Sequence, residues 1–370
     1  MKKILLVAVP VVACVSTLLA AEGAYSLMRW KKTSQSIAYQ TYKSLTNAVP
    51  DDPQPELNLA SREHFEALIP DMIEAGVGLG NVPYKKIMQQ RTSIKSRDAD
   101  GCIVSKPGIK SEMAQLRTID FELSNPPTIF YDKEAKLSEA LQTFLNRYAI
   151  RRVSFSTNEQ GERLTFPLIE VKDVVLVAGD SVAAGTLVSD EETLSSRLQQ
   201  RDSARRYVNL GIGGISAPDI LCNLTAAAKR YTGRIKELVY VYCENDFEPT
   251  EPYGQPEDVV SWLADYARRE GIAKVLVVRA PYVYNVVPHL TRFKGYRGEG
   301  RLTRSAEVER LRKSSRDAGF TFIDIENLAQ REIQQKGTDF AVFSLFVDAV
   351  HLSPYGTEKL ADEVMESRIR

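Results

Sequence analysis

The sequence predicts a doubly wound α/β domain, a mainly parallel sheet flanked by helices, preceded by a smaller N-terminal ancillary region. Over the second half of the chain, apolar runs of strand length alternate with stretches of helical period, the pattern of a parallel sheet. The first run, Val174-Val175-Leu176-Val177-Ala178, is apolar at every position, as a strand covered on both faces must be. The 370 residues, 44% hydrophobic, suffice for one large core and a smaller one.

Three segments follow: 1–32, a signal anchor or signal peptide with its flank; 33–170, linker and ancillary α/β region; and 171–370, the sheet domain. Met1-Lys2-Lys3 precedes a mostly apolar run from Ile4 to Ala21, broken only by Pro10, Ser16 and Thr17. That run reaches the lower limit of a membrane span, and Leu19-Ala20-Ala21 puts leucine where a cleavage site needs a small residue, which favours an uncleaved anchor over a removed signal peptide. Lysine and arginine lie on both sides of the run, so charge does not fix orientation. The signal-like start favours an extracytoplasmic domain, periplasmic or at the cell surface, anchored in the membrane or else secreted after cleavage.

In the ancillary region, Asn47 to Pro55 is proline-rich and reads as an extended linker. Ser61 to Ala75 reads as a helix interrupted near Pro70, and Glu134 to Tyr148 as another. Arg151 to Phe166, with Asn158-Glu159-Gln160-Gly161 at its centre, reads as a β-hairpin. A packing role for the region is favoured over a substrate-guiding cap. In the main domain, strands are expected over 174–178, 206–210, 238–242, 274–279 and 320–325, with helices over 191–201, 217–230, 257–270, 303–317 and 356–368. The last helix follows Ser353-Pro354-Tyr355 and should pin the loop before it.

That loop holds one of three histidines, His351, three places after Asp348. The first strand ends in Gly179-Asp180-Ser181, so Ser181 lies at the carboxyl end of a sheet strand, where open α/β sheets bind ligands. A serine hydroxyl is a poor nucleophile until an imidazole takes its proton, and a carboxylate that fixes the imidazole's tautomer completes the set. Ser181, His351 and Asp348 supply those residue types. His64 lies in an amphipathic helical stretch and reads as solvated or capping; His289 follows a tyrosine-containing loop and is a candidate for the site's rim. Gly211-Ile212-Gly213-Gly214 is not a dinucleotide fingerprint, because Ser216 stands where the third glycine belongs.

Gly179-Asp180-Ser181, Asn209 to Gly214, Cys243-Glu244-Asn245-Asp246 and Asp348 to His351 occur in the order of the four blocks of the SGNH (GDSL-type) hydrolase family, which the chain resembles from about Val171 to its end. The resemblance implies a nucleophile at Ser181, an acid and base at Asp348 and His351, and an oxyanion hole from the amides of Ser181 and Gly214 and the side chain of Asn245. Cys243 stands where the family has glycine, a substitution expected to narrow the pocket.

The implied activity is an exported serine esterase that cleaves an acyl or acetyl ester on an envelope or extracellular glycan or lipid through an acyl-serine intermediate. The alternatives are an O-acyltransferase using the same triad, or a non-catalytic envelope binding or assembly protein. The 48 basic and 48 acidic residues balance, which argues against nucleic acid as a partner. No cysteine–histidine cluster has metal-site spacing, and neither metal nor cofactor is expected. With Cys14 in the membrane segment, Cys102, Cys222 and Cys243 allow at most one internal disulfide and leave one free thiol.

Overall fold

The computed structural model describes residues 94–116, 128–243, 255–287, 305–348 and 350–369, with parts of 67–80. The apolar run 4–21, the linker 47–55, His64, Asn245 and His289 lie outside the described residues. Between 67 and 74 the described residues, Pro70 among them, are helical; Ile69 and Ile73 lie outside the described residues.

An antiparallel sheet comes first, with strand order β1-β5-β4-β6. Its strands are β1 (Gly78–Gly80), β4 (Lys110–Leu116), β5 (Thr128–Asp132) and β6 (Ala149–Ser156). A separate hairpin pairs β2 (Lys95–Arg97) with β3 (Ile103–Ser105). Helix α1 (Glu139–Tyr148) starts later than Glu134, because Ser138 caps it by accepting a hydrogen bond from the Leu141 amide. It lays Leu141, Phe144, Leu145 and Tyr148 against Ala114, Ile129 and Tyr131 of the sheet.

The second sheet contains β7 (Val174–Gly179), β8 (Arg206–Asn209), β9 (Ile235–Cys243), β10 (Lys274–Ala280) and β11 (Thr321–Asp324) in the order β11-β10-β9-β7-β8, every pair parallel. These are the strands expected from the apolar runs. The helices are α2 (Ser181–Ala184), α3 (Leu194–Arg201), α4 (Ala217–Arg230), α5 (Pro256–Glu270), α6 (Val283–Val286), α7 (Ser305–Asp317), α8 (Ile325–Lys336) and α9 (Pro354–Glu366).

Successive residues of a strand face opposite sides, and both sides are covered here. Leu176 and Ala178 pack with Leu224 of α4, Leu263 of α5 and Leu311 of α7. Val175 and Val177 pack with Leu198 of α3, Leu328 of α8 and Leu360 of α9. Each such branched side chain, fully buried, contributes about 1.5–3 kcal/mol.

From β7 the chain moves outward to β8, then returns to β9 on the other side of β7. This is the switch point of the sheet, at the carboxyl end of β7, where open α/β sheets bind ligands.

Two expectations change. The hairpin over 151–166 has its turn, with the Gly161 amide donating to the Asn158 carbonyl, but its returning arm forms only isolated bridges, Thr157 with Arg163 and Arg163 with Asn209. Arg163 is buried there at 3% exposure, and its side chain takes over the work of a strand ladder. Helix α8 was not foreseen. Asp324 ends β11 and at once caps α8, accepting from the Glu326 amide at 3.0 Å, so no turn residues separate the two.

Candidate active site

Ser181 is the first residue of α2, directly after β7. Asp180, 1% exposed, caps this short helix: one oxygen accepts from the Val182 amide at 3.0 Å and the other from the Ser181 hydroxyl at 3.3 Å. The helix ends at Gly185 in the left-handed conformation. Two residues on, Leu187 holds φ +70°, the one non-glycine positive φ among the described residues. Backbone outliers of this kind persist only where surrounding contacts over-determine them.

Arg163 provides those contacts. Its Nε donates to Asp190 at 2.9 Å, its Nη1 to the carbonyls of Ala184 and Gly185, both at 2.6 Å, and its Nη2 to those of Ser154 and Val188 at 2.9 and 2.7 Å. All five guanidinium N–H bonds are thus used. The loop after Ser181 is tied through one side chain to the ancillary sheet.

The Asp348–His351 loop is fixed by its own spacing. One oxygen of Asp348 accepts from the amides of Val350 and His351, at 2.9 and 2.8 Å, and the other meets His351 Nδ1 at 2.6 Å. Three-residue separation lets one carboxylate close the turn and orient the ring together. Helix α9 pins the loop as expected: Ser353 caps it by accepting from the Gly356 amide and donates to the Ser344 carbonyl at 2.5 Å.

Burial of the His351 ring, 15% exposed, opposes its protonation. The charge and hydrogen bond of Asp348, with the charge of Asp180 added, outweigh that and raise its pKa above the ordinary histidine value. With Nδ1 on Asp348, the other nitrogen, Nε2, is buried and has no hydrogen-bond partner among the described residues. Ser181 does not fill it, because its hydroxyl points to Asp180. Catalytic hydrogen bonds are often unmade before substrate binds.

The loop Asn209 to Gly214 lies against α2. Asn209 Oδ1 accepts from the Gly211 amide at 2.9 Å, and a Cβ on Gly211 would sit 2.1 Å from the Ala184 nitrogen, so only glycine fits. A Cβ built on Gly213 would lie 3.6 Å from Ser181 Cβ, which brings the Gly213–Gly214 peptide beside Ser181. Gly214 has φ +65°, and its carbonyl accepts from Lys95 Nζ at 3.1 Å.

Ser181, Gly214, Asp348 and His351 come from three loops, the first two following the carboxyl ends of β7 and β8, and the His351 ring feels the charge of Asp180 beside Ser181; Asn245 lies outside the described residues. Cys243 is 1% exposed and packs in the same apolar layer as Val182 and Ala183. Sequence reasoning missed Arg163, Lys95 and Gln115, whose Nε2 donates to the Val347 carbonyl beside Asp348 at 3.4 Å. The only local signal was an arginine next to a turn. Cys102 and Cys222 form the one disulfide among the described residues and Cys243 is in none, as the cysteine count allowed. Among the described residues no group of three or more His, Cys, Asp or Glu side chains converges as a metal site would require.

Residues 175–364 match the family described as GDSL-like Lipase/Acylhydrolase. Among solved structures, the chain is similar to a member of the lipolytic protein G-D-S-L family from Veillonella parvula DSM 2008, with 16% identity, 54% of this chain and 100% of that one covered, and a TM-score of 0.40. It is also similar to a lipase/acylhydrolase from Enterococcus faecalis (20% identity, 54% and 94% covered, TM-score 0.39) and to the acetyl xylan esterase AlAXEase (17%, 53% and 98%, 0.39). No curated protein sequence matches the chain. The matched span begins at the second residue of β7, ends within the terminal helix and takes in all three loops above; the chain belongs to the GDSL-like lipase/acylhydrolase family and is an ester-hydrolysing enzyme.

Proposed function

We propose that this enzyme removes acyl groups, acetyl among them, from an extracytoplasmic glycan or lipid through an acyl-serine intermediate. Ser181 Oγ attacks the ester carbonyl carbon while its proton passes to His351 Nε2, and Asp348 stabilises the imidazolium. Negative charge develops on the carbonyl oxygen, where the amides of Ser181 and Gly214 and the side chain of Asn245 donate hydrogen bonds. Collapse expels the alcohol, which takes the proton from Nε2. Water then attacks the acyl-serine, giving its proton to Nε2, and the carboxylic acid leaves as Ser181 regains its hydrogen.

The observation that carries this reading is the His351 ring, held by Asp348 through Nδ1 with its Nε2 buried and without a hydrogen-bond partner among the described residues. The Cys102–Cys222 disulfide supports an oxidising compartment outside the cytoplasm, as does the apolar run from Ile4 to Ala21. Among the described residues no helix is long and apolar enough to cross a membrane, so the anchor rests on that N-terminal run alone.

A fluorophosphonate probe should label the wild type on the peptide containing Ser181 and leave Ser181→Ala unlabelled and inactive on an activated acetyl ester. His351→Ala should lose about 10⁴-fold or more in kcat, since triad members act as a unit. Equal labelling of wild type and Ser181→Ala removes Ser181 as the nucleophile.

A further inference from the structure

The hairpin β2–β3 is fastened at both ends. Its tip is joined covalently to α4 by Cys102–Cys222, whose Cα atoms are 5.5 Å apart, and Asp100 pairs with Lys229 at 2.6 Å. Ile103 and Val104 pack on the core layer that includes Leu221 and Leu224. Its base is held by Thr157, whose hydroxyl donates to the Lys106 carbonyl at 2.6 Å. So fastened, it brings Lys95 Nζ to 3.1 Å from the carbonyl of Gly214, 119 residues away in the chain.

The placement is specific to the loop beside the nucleophile. The Gly213–Gly214 segment lies between Ser181 on one side and the Lys95 ammonium on the other: a Cβ on Gly213 would lie 3.6 Å from Ser181 Cβ, and one on Gly214 would lie 3.6 Å from Lys95 Nζ. Two successive glycines have wide backbone freedom, and a donor presented by such a loop is preorganised only if something outside it fixes the backbone. An ammonium on the carbonyl makes a charge-assisted hydrogen bond, stronger than a neutral one. It also sets a positive charge near the place where the oxyanion forms.

We infer that Lys95 is a positioning residue for the oxyanion loop: the disulfide-stapled hairpin holds its ammonium on the Gly214 carbonyl and thereby fixes the Gly214 amide toward the developing oxyanion at Ser181. This rests on the serine-esterase reading above. It assigns to the ancillary region a part in the reaction, carried by a residue outside the 175–364 family match.

The test uses the full chain. Lys95→Met keeps most of the stem and removes the ammonium; Lys95→Arg keeps a charged donor. With an activated acetyl ester, Lys95→Met should lower kcat by about 10- to 100-fold, somewhat less than the loss of an oxyanion donor itself, with KM within about twofold. A boronic acid, whose tetrahedral adduct on serine carries the oxyanion, should bind Lys95→Met more weakly by the same factor. Lys95→Arg should recover most of both, and Tm should stay within a few degrees of wild type. A merely structural lysine would move Tm and leave the kcat of the folded fraction and the boronate affinity unchanged; that result, or a loss confined to KM, overturns the inference. Should Lys95→Met fail to fold, Lys95→Gln read against Lys95→Arg decides by the same criteria. An active wild type with an unaffected Lys95→Met removes this inference alone, whereas a wild type that neither labels at Ser181 nor turns over ester removes the esterase reading with it.

Discussion

His351 is subject to opposing pressures whose balance sets the working pH. Burial disfavours the imidazolium, while Asp348 and, more weakly, Asp180 favour it, and the net effect is a raised pKa. A general base must be neutral to accept the serine proton, so kcat/KM for acylation should rise with pH through a value above the ordinary histidine pKa of about 6.5. Replacing Asp348 by Asn leaves burial less opposed: the limb should move to lower pH and kcat should fall by about 10⁴-fold, as when the acid of such a triad becomes an amide. A pH–rate series on wild type and Asp348→Asn checks this; a wild-type limb at or below 6.5 contradicts it. Stability carries the matching sign. Because the folded pKa is raised, the His351–Asp348 ion pair stabilises the fold fully below the unfolded value of about 6.5, and that contribution is lost as pH rises through the folded value. These residues were legible in the sequence because their chemistry is local: a carboxylate three residues before a histidine closes its own turn. Lys95 and Arg163 were not, because their partners lie far off in the chain, 119 residues away for Lys95 and 21 to 27 for the loop that Arg163 ties down.

Among the elements, strands buried on both faces announced themselves by unbroken apolar runs, and the helices between them by their period. Short elements held by tertiary contacts did not. Strands β2 and β3 have three residues each, and their hairpin depends on the disulfide and on core packing more than on its own ladder. Removing the staple should therefore free the hairpin without unfolding the parallel sheet. The double variant Cys102→Ser with Cys222→Ser should keep the far-ultraviolet circular dichroism of the wild type while losing kcat in the direction of Lys95→Met, and adding Lys95→Met to it should cost little more, since the two changes act through one contact. Full kcat in the double variant, or two losses that multiply, would show that hairpin and lysine act separately.

At the scale of the whole molecule, the ancillary region reaches three described loops that carry candidate catalytic groups: Arg163 holds the loop after Ser181, Gln115 meets the carbonyl of Val347 beside Asp348, and Lys95 meets Gly214. The sequence favoured a packing role for this region, because none of these contacts leaves a pattern in composition or period. The strongest of them is also the one whose loss is easiest to weigh. Arg163 and Asp190 have side chains 1% and 3% exposed, so a chain starting at residue 171 would bury Asp190 without its partner and leave the Ala184, Gly185 and Val188 carbonyls without their donor. Breaking a buried ion pair by removing one partner costs about 3–5 kcal/mol, a large share of the 5–15 kcal/mol by which a domain is typically stable. The matched family span should therefore not stand alone as a stable enzyme: residues 171–370 should be insoluble or melt far below the full chain, and the single change Arg163→Ala in the full chain should lower Tm by roughly 10 °C. Calorimetry on the full-length pair and the solubility of the 171–370 truncation measure this. A 171–370 fragment that folds, labels at Ser181 and turns over ester at the wild-type rate would return the ancillary region to a packing role.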